Sequence, residues 1–346
     1  MRCRLPAILL LVAGCATVST PRPDHQNPGG NSGVLSVPFL AQKPNYCGPA
    51  ALAMVAAYHG KSLTQDDVAD AIRQPGVRGV LTTDLAEYAR RLGFWVRVYR
   101  GNLADLRQKL AAGIPLILCT RFGESDHLLV ALGTDNFRRT ITVHSDTRPQ
   151  LELPQEDFLR YWERGGRWTL LVCPPDRIPW RMSADEHNDF GVFLERRGQH
   201  VAAAGHYRMA TELQPNNPVF HLNLGNALLK QNLFSEAAAA YRRAVELAPD
   251  DANAMNNLAW AYCELGANLE EAAALCRRAA ALQPARRAYY LDTLGSVLLK
   301  QGKTKEAVQA FETALAATTS RQTTLRDVIR QRLQAAQQLL VPQRGQ

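Results

Sequence analysis

Between residues 184 and 317 the chain repeats itself. Phe190-Gly191, Leu224-Gly225, Leu258-Ala259 and Leu294-Gly295 recur at spacings of 34, 34 and 36 residues. Each pair is followed by a large residue (Leu194, Leu228, Tyr262, Leu298) and then by Ala203, Ala237, Ala272 and Ala307. Tyr207, Tyr241, Cys276 and Phe311 come next, then Ala210, Ala244, Ala279 and Ala314. Pro215, Pro249 and Pro284 close the first three units. A unit of this length cannot bury its apolar face alone, so the period predicts helix pairs that stack on one another. Small Gly and Ala let the paired helices approach, a ring fills the space between them, and Pro stops the second helix. The third and fourth units each carry one extra residue. Residues 321–341 read as a terminal capping helix with a polar outer face. Cys263 and Cys276 fall on repeat helices and read as buried apolar thiols.

These units resemble tetratricopeptide repeats, which implies an all-α solenoid over 184–317 that binds peptides or a protein partner along its concave surface. Such an array accounts for less than half of the 346 residues, so a second domain is expected. A hydrophobic content of 46% with 21% charged residues excludes a disordered or fibrous chain. Forty Lys+Arg against 32 Asp+Glu give +8, but the basic residues are scattered, which argues against a nucleic-acid partner.

Residues 1–14, MRCRLPAILLLVAG, carry Arg2 and Arg4 before a short apolar run, the layout of an export signal. Val12-Ala13-Gly14-Cys15 resembles the lipobox of bacterial lipoproteins, which implies lipidation of Cys15 and a membrane anchor. That resemblance places the protein in the bacterial cell envelope, facing the periplasm. Ala16 in place of Asp points to the outer membrane. Residues 15–33 form a Pro/Gly/Ser/Asn-rich flexible tether. No internal stretch approaches the roughly 20 apolar residues of a membrane span.

Residues 34–176 alternate helical and strand patterns. After an extended entry at Val37–Leu40, residues 48–59 are apolar nearly all round and predict a buried helix. Thr64–Arg73 and Thr82–Leu92 are amphipathic, each with Thr at the expected N-cap. Strands are expected at Phe94–Tyr99, Pro115–Thr120, His127–Leu132, Thr140–His144 and Arg167–Val172. Helices are expected at Leu103–Ala112 and Pro154–Arg164. The order predicts an α+β domain with a mostly antiparallel sheet.

The chemistry converges on Gln42-Lys43-Pro44-Asn45-Tyr46-Cys47-Gly48-Pro49. Cys47 stands at the start of the buried helix, and Pro49 suits its first turn. Free N–H groups and partial positive charge at a helix N-terminus favour a thiolate, which is the nucleophilic form. Acyl transfer also needs oxyanion donors, for which the Cys47 N–H and the Gln42 amide are candidates. His127, at the head of an apolar strand, is the candidate base, and Asp146, 19 residues on, the candidate orienting acid. A hairpin loop over 134–139 would pair Gly133 with Thr140 and set His127 opposite Asp146, with β-carbons about 5 Å apart. A four-residue loop would bring His144 opposite instead. Asp126 and Asp135 are alternatives to Asp146.

The order Gln, Cys, His on a strand, then Asp resembles the papain-like cysteine peptidases that process bacteriocins. Those domains sit at the front of ABC exporters and cut leaders after a double glycine. The matching segments are VPFLAQKPNYCGPAALAMVAAYHG, DHLLVALG and HSDTRP, within roughly residues 34–173. The resemblance implies Gln42 as oxyanion-hole residue, Cys47 as nucleophile, His127 as general base and acid, and Asp146 as orienting residue. It also implies a peptide or protein substrate. Two departures stand out: Asp146-Thr147 replaces the family's frequent Asp-Pro, and no GxxxxGK[ST] ATPase segment occurs. Export-coupled leader removal therefore does not carry over. A lipoprotein in which such a peptidase domain is fused to tetratricopeptide repeats fits the whole chain. Two other readings use the same residues: a non-catalytic peptide-binding scaffold, and an amidase or acyltransferase working through the same Cys/His site.

Other residues carry less. Cys119 reads as a buried strand thiol, and Cys173 as structural or as its disulfide partner. His59-Gly60 reads as a helix C-cap. His187, His200, His206 and His221 lie on repeat helices without metal spacing. No HExxH, paired CxxC or Gly-rich phosphate loop occurs, so neither metal nor cofactor is expected.

Overall fold

The computed structural model describes residues 33–74, 80–123 and 125–340. Cys15, the signal segment 1–14 and the tether up to residue 32 lie outside the described residues, as does residue 341. No helix among the described residues is long and apolar enough to cross a membrane.

The N-terminal part is α+β. Its first helix, α1 (Cys47–Tyr58), is buried from Gly48 to Ala56, as its all-round apolar sequence requires. In α2 (Gln65–Ile72) Thr64 caps the N-terminus and Asp67 reciprocates in a capping box. The next helix, α3 (Thr82–Arg91), starts one residue earlier than its expected cap. Extended Leu81 takes the N-cap position without a side-chain bond, so Thr82 is helical and Asp84 supplies first-turn negative charge.

Six strands follow: β1 (Trp95–Arg100), β2 (Leu116–Phe122), β3 (Ser125–Asp135), β4 (Thr140–Ser145), β5 (Arg148–Pro154) and β6 (Trp168–Cys173). Helix α4 (Leu103–Ala111) precedes β2, and α5 (Gln155–Arg164) precedes β6. The sheet order is β1-β6-β2-β3-β4-β5, and every neighbouring pair is antiparallel. Strand β5 has no counterpart in the sequence reading. Pro149, polar Gln150 and a φ of 48° at Gln150 break its apolar alternation, and it survives as an edge paired only with β4.

Both faces of the sheet are covered, which is why its central strands read as unbroken apolar runs. Ile117, Leu128, Val130, Leu170 and Val172 pack with α1, α2 and α3. Leu116, Leu118, Leu129 and Leu171 pack on the other face with Leu106 and Leu110 of α4 and with Phe158 and Trp162 of α5. Cys119 and Cys173 are buried and free, so the disulfide considered between them is not formed.

Among the described residues after 183 every element is helical: α6 (Ala184–Arg196), α7 (His200–Leu213), α8 (Pro218–Leu229), α9 (Phe234–Leu247), α10 (Ala252–Leu265), α11 (Leu269–Leu282), α12 (Arg287–Lys300), α13 (Thr304–Ala316) and α14 (Thr323–Gln338). The repeat signature has a packing cause. A Cβ on Gly191, Gly225 or Gly295 would lie 2.5–2.6 Å from the ring of Tyr207, Tyr241 or Phe311 in the paired helix. Where that position is Ala259, the facing ring is replaced by buried Cys276, so the one unit with a Cβ at this position has no ring opposite it. One extra residue sits in the α10–α11 turn, where Gly266 and Asn268 are both left-handed; the other falls in the short 3-10 turn Pro284–Arg286.

The two parts meet across an apolar and ionic joint. Trp180 stacks on Trp95 at 6.0 Å, and Phe190 of α6 meets Trp95 edge-on at 5.2 Å. Lys109 of α4 is only 1% exposed, and its Nζ lies 2.5 Å from Glu186 Oε1 of α6. The Trp180 indole N–H donates to the same oxygen at 3.0 Å.

Candidate active site

Cys47 is the first residue of α1, so its N–H has no intrahelical partner. The thiol is free and half-buried. The tip of α1 rests on β3, since a Cβ on Gly48 would sit 3.4 Å from Leu128 Cδ1, the neighbour of His127. The segment before the helix is held by Gln65, a buried side chain that the sequence did not single out. Its Nε2 donates to Ala41 O at 3.0 Å, and its Oε1 accepts from the Lys43 N–H at 2.9 Å. Position 65 reads as an ordinary first-turn residue of an amphipathic helix, and only the long-range fold turns it inward.

The Gln42 backbone N–H donates to Asp146 O at 3.2 Å, and Gln42 Nε2 donates to Asp146 Oδ1 at 3.0 Å. His127 Nε2 stands 3.5 Å from the same Oδ1 and 3.2 Å from Ser145 Oγ. Gln42, His127 and Asp146 therefore meet around one carboxylate oxygen. The hydrogen-bond contacts of the imidazole are through Nε2, to Ser145 and Asp146, and leave Nδ1 for other partners. The amide has a second N–H beyond the one on Asp146. Ser145 is a further member of the cluster, and Arg148 Nη2 approaches Asp146 Oδ2 at 4.0 Å.

His127 and Asp146 meet by a route that differs from the expected register. The β3–β4 loop has four residues, 136–139, with Asp135 paired to Thr140. An irregularity between Ala131 and Gly133 then shifts the ladder, so His144 lies opposite Val130 and not opposite His127. Asp146 is not a cross-strand partner at all. It follows β4 with a φ of 53°, and that left-handed turn swings its carboxylate back to His127. His144 is buried, with Nε2 3.0 Å from Val37 O while Nδ1 accepts from the Gln150 N–H. The alternative acids are used elsewhere: Asp126 pairs with Arg121 at 2.6 Å, and Asp135 accepts the N–H groups of Phe137 and Arg138 in the hairpin loop.

Burial pushes the His127 imidazole below its ordinary value of 6.5, and Arg148 acts in the same direction; Asp146 opposes both. The neutral ring is thus the dominant form at neutral pH, with a lone pair free to accept a proton. Burial raises Cys119 to about 11, so that thiol stays protonated. Burial likewise lowers His59 to about 4.

Comparison with known proteins agrees with this architecture. Residues 34–169 match the model of the Peptidase_C39 like family. Residues 222–287 and 291–325 match two tetratricopeptide-repeat models. No curated protein matches the chain. Among solved structures, a MamA RS-1 double mutant is 24% identical, covering 40% of this chain and 78% of its own, with a TM-score of 0.37. YrrB, titled a TPR protein with an unusual peptide-binding site, is 18% identical over 43% of this chain and 74% of its own (TM-score 0.39). MamA from Desulfovibrio magneticus RS-1 is 22% identical over 46% and 82% (TM-score 0.37). Residues 34–169 thus form a Peptidase_C39-like domain, and tetratricopeptide repeats follow it within residues 222–325.

Proposed function

We propose that this protein is a cysteine peptidase of the bacterial cell envelope, anchored through a lipid on Cys15, whose repeats recruit the substrate or a partner protein. The observation that carries the reading is the Gln42–Asp146–His127 cluster at the tip of the helix headed by Cys47. With Nε2 turned to Asp146, Nδ1 takes the Cys47 thiol proton. The sulfur attacks the peptide carbonyl carbon, and the oxyanion accepts from the Cys47 N–H and the second Gln42 N–H. The imidazolium protonates the leaving amine, the C–N bond breaks, and a thioester remains. Water, deprotonated by His127, then releases the acid and restores the thiol.

The test is cleavage of a proteome-derived peptide pool, read by mass spectrometry, together with labelling by a thiol-reactive peptide electrophile. Cys47→Ala and His127→Ala should each lower kcat/KM by roughly a thousandfold or more. A Cys47→Ala protein that cuts the same peptides overturns the assignment. A Cys47 that labels no faster than free cysteine, without dependence on His127, overturns catalysis and leaves binding. Transfer to an added amine in place of hydrolysis would reassign the reaction as acyl transfer.

A further inference from the structure

The sheet ends on β1, and a groove of about 410 Å³ runs along that edge beside the joint with the repeats. Four consecutive residues, Trp95, Val96, Arg97 and Val98, line it. Successive side chains of a strand point to opposite faces, so a groove touched by all four follows the backbone of the edge. On its other side β1 pairs with β6 in unbroken register from Trp95↔Cys173 to Arg100↔Trp168. Its outward N–H and C=O groups meet no further strand of the sheet.

The opposite edge is built differently. Strand β5 carries Pro149 and Pro154, a left-handed Gln150, and a register irregularity against β4. Each of these spoils an edge for pairing. Strand β1 has no proline and no register shift, and it exposes Val98 to 43%.

The walls of the groove supply charge. Arg90 and Arg91 stand at the end of α3, Arg97 on β1, and Arg196 and Arg197 at the end of α6, against two carboxylates, Glu87 and Asp189. Those two are taken, by Arg90 at 3.2 Å and by Arg97 at 2.5 Å. Exposed Arg91, Arg196 and Arg197 have no carboxylate ion pair among the described residues. Arg91 lies over the Tyr88 ring and Arg197 over the Phe193 ring, each at 5.3 Å, which orders their guanidinium planes.

We propose that this groove binds an extended acidic segment of a partner protein. The segment adds as a strand to the free edge of β1 and sets its carboxylates against Arg91, Arg196 and Arg197. Backbone pairing supplies affinity, and alternate side chains select: acids toward the arginines, apolar residues toward Val98 and Phe193. The site is separate from Cys47 and does not depend on catalysis.

The probe is a fluorescein-labelled octapeptide of alternating Glu and Val, followed by anisotropy with the full chain. Saturable binding that weakens with salt is expected. The charge-reversed variant Arg91→Glu/Arg196→Glu/Arg197→Glu, with its fold checked by circular dichroism, should bind at least tenfold more weakly. Two further peptides, N-methylated at alternate backbone nitrogens in either register, keep the charge; at least one should bind the wild-type chain tenfold more weakly. Cys47→Ala should bind the parent peptide like wild type. Equal binding by the charge-reversed variant, or by both methylated peptides, overturns the proposal. Loss of binding in Cys47→Ala would assign the peptide to the thiol site and overturn it as well.

Discussion

At the candidate site one aspartate does three jobs. Asp146 accepts the Gln42 amide, faces His127 Nε2, and offers its backbone carbonyl to the Gln42 N–H. Because the carboxylate opposes the fall of the His127 pKa, Asp146→Asn should lower that pKa further. The acid limb of kcat/KM should therefore lie below 6.5 in the wild type and move to still lower pH in Asp146→Asn, while kcat falls. A pH–rate profile checks both, and an acid limb that moves upward would remove Asp146 from contact with the base. Gln42→Ala should reduce kcat by about 10²–10³, the usual loss for one oxyanion donor. Gln42, Cys47 and His127 were visible as residue types in a workable order. Asp146 was visible only as a candidate, because its role depends on a left-handed turn and on a ladder irregularity at Leu132 that no local pattern announces.

Among the elements, the repeat helices show the tightest link between sequence and packing. Gly225→Ala would place a methyl 2.5 Å from the Tyr241 ring, and should cost about 1–3 kcal/mol in thermal or denaturant unfolding. Combining it with Tyr241→Cys, which imitates the Ala259/Cys276 unit, should cost less than the sum of the two single changes. Helix α1 gives a second test. His59 at its C-terminus is lowered from 6.5 to about 4 by burial, although its Nε2 lies 3.1 Å from Val172 O. The unfolded chain binds this proton more readily than the folded one, so stability should fall as pH drops from 6.5 toward 4, by up to about 3 kcal/mol. His59→Gln should flatten that slope in equilibrium unfolding. Periodicity revealed most of these elements because each has one continuous apolar face or is buried all round. Strand β5 escaped because an edge strand needs only one partner and tolerates Pro and polar residues.

Over the whole molecule, the joint makes the N-terminal domain and α6 one packed unit. Burial alone would raise Glu186, yet Lys109, the Ser183 N–H and Arg97 bring it net below its ordinary value. Lys109→Ala would take from Glu186 its closest cation and leave it Arg97, the Ser183 N–H and the Trp180 indole, and should destabilise the protein by about 1–3 kcal/mol. The loss should appear as separate unfolding of the two parts in calorimetry; a single unshifted transition would contradict it. Lys109 looks like a solvated charge on an amphipathic helix, and Glu186 is legible only as the acid of the Ser183 capping box, so neither announces the joint.

Local regularities were enough to reveal the repeat array, the buried helix behind Cys47 and the alternating α+β order. Periodic burial and chain reversal write themselves into neighbouring residues. The meeting of Gln42, His127 and Asp146, the inward turn of Gln65, the salt-bridged joint and the open edge of β1 are contacts between residues far apart in the chain. Nothing in their immediate surroundings constrains them. They follow from sheet order, strand register and the way two domains share a core, which exist only once the chain has folded.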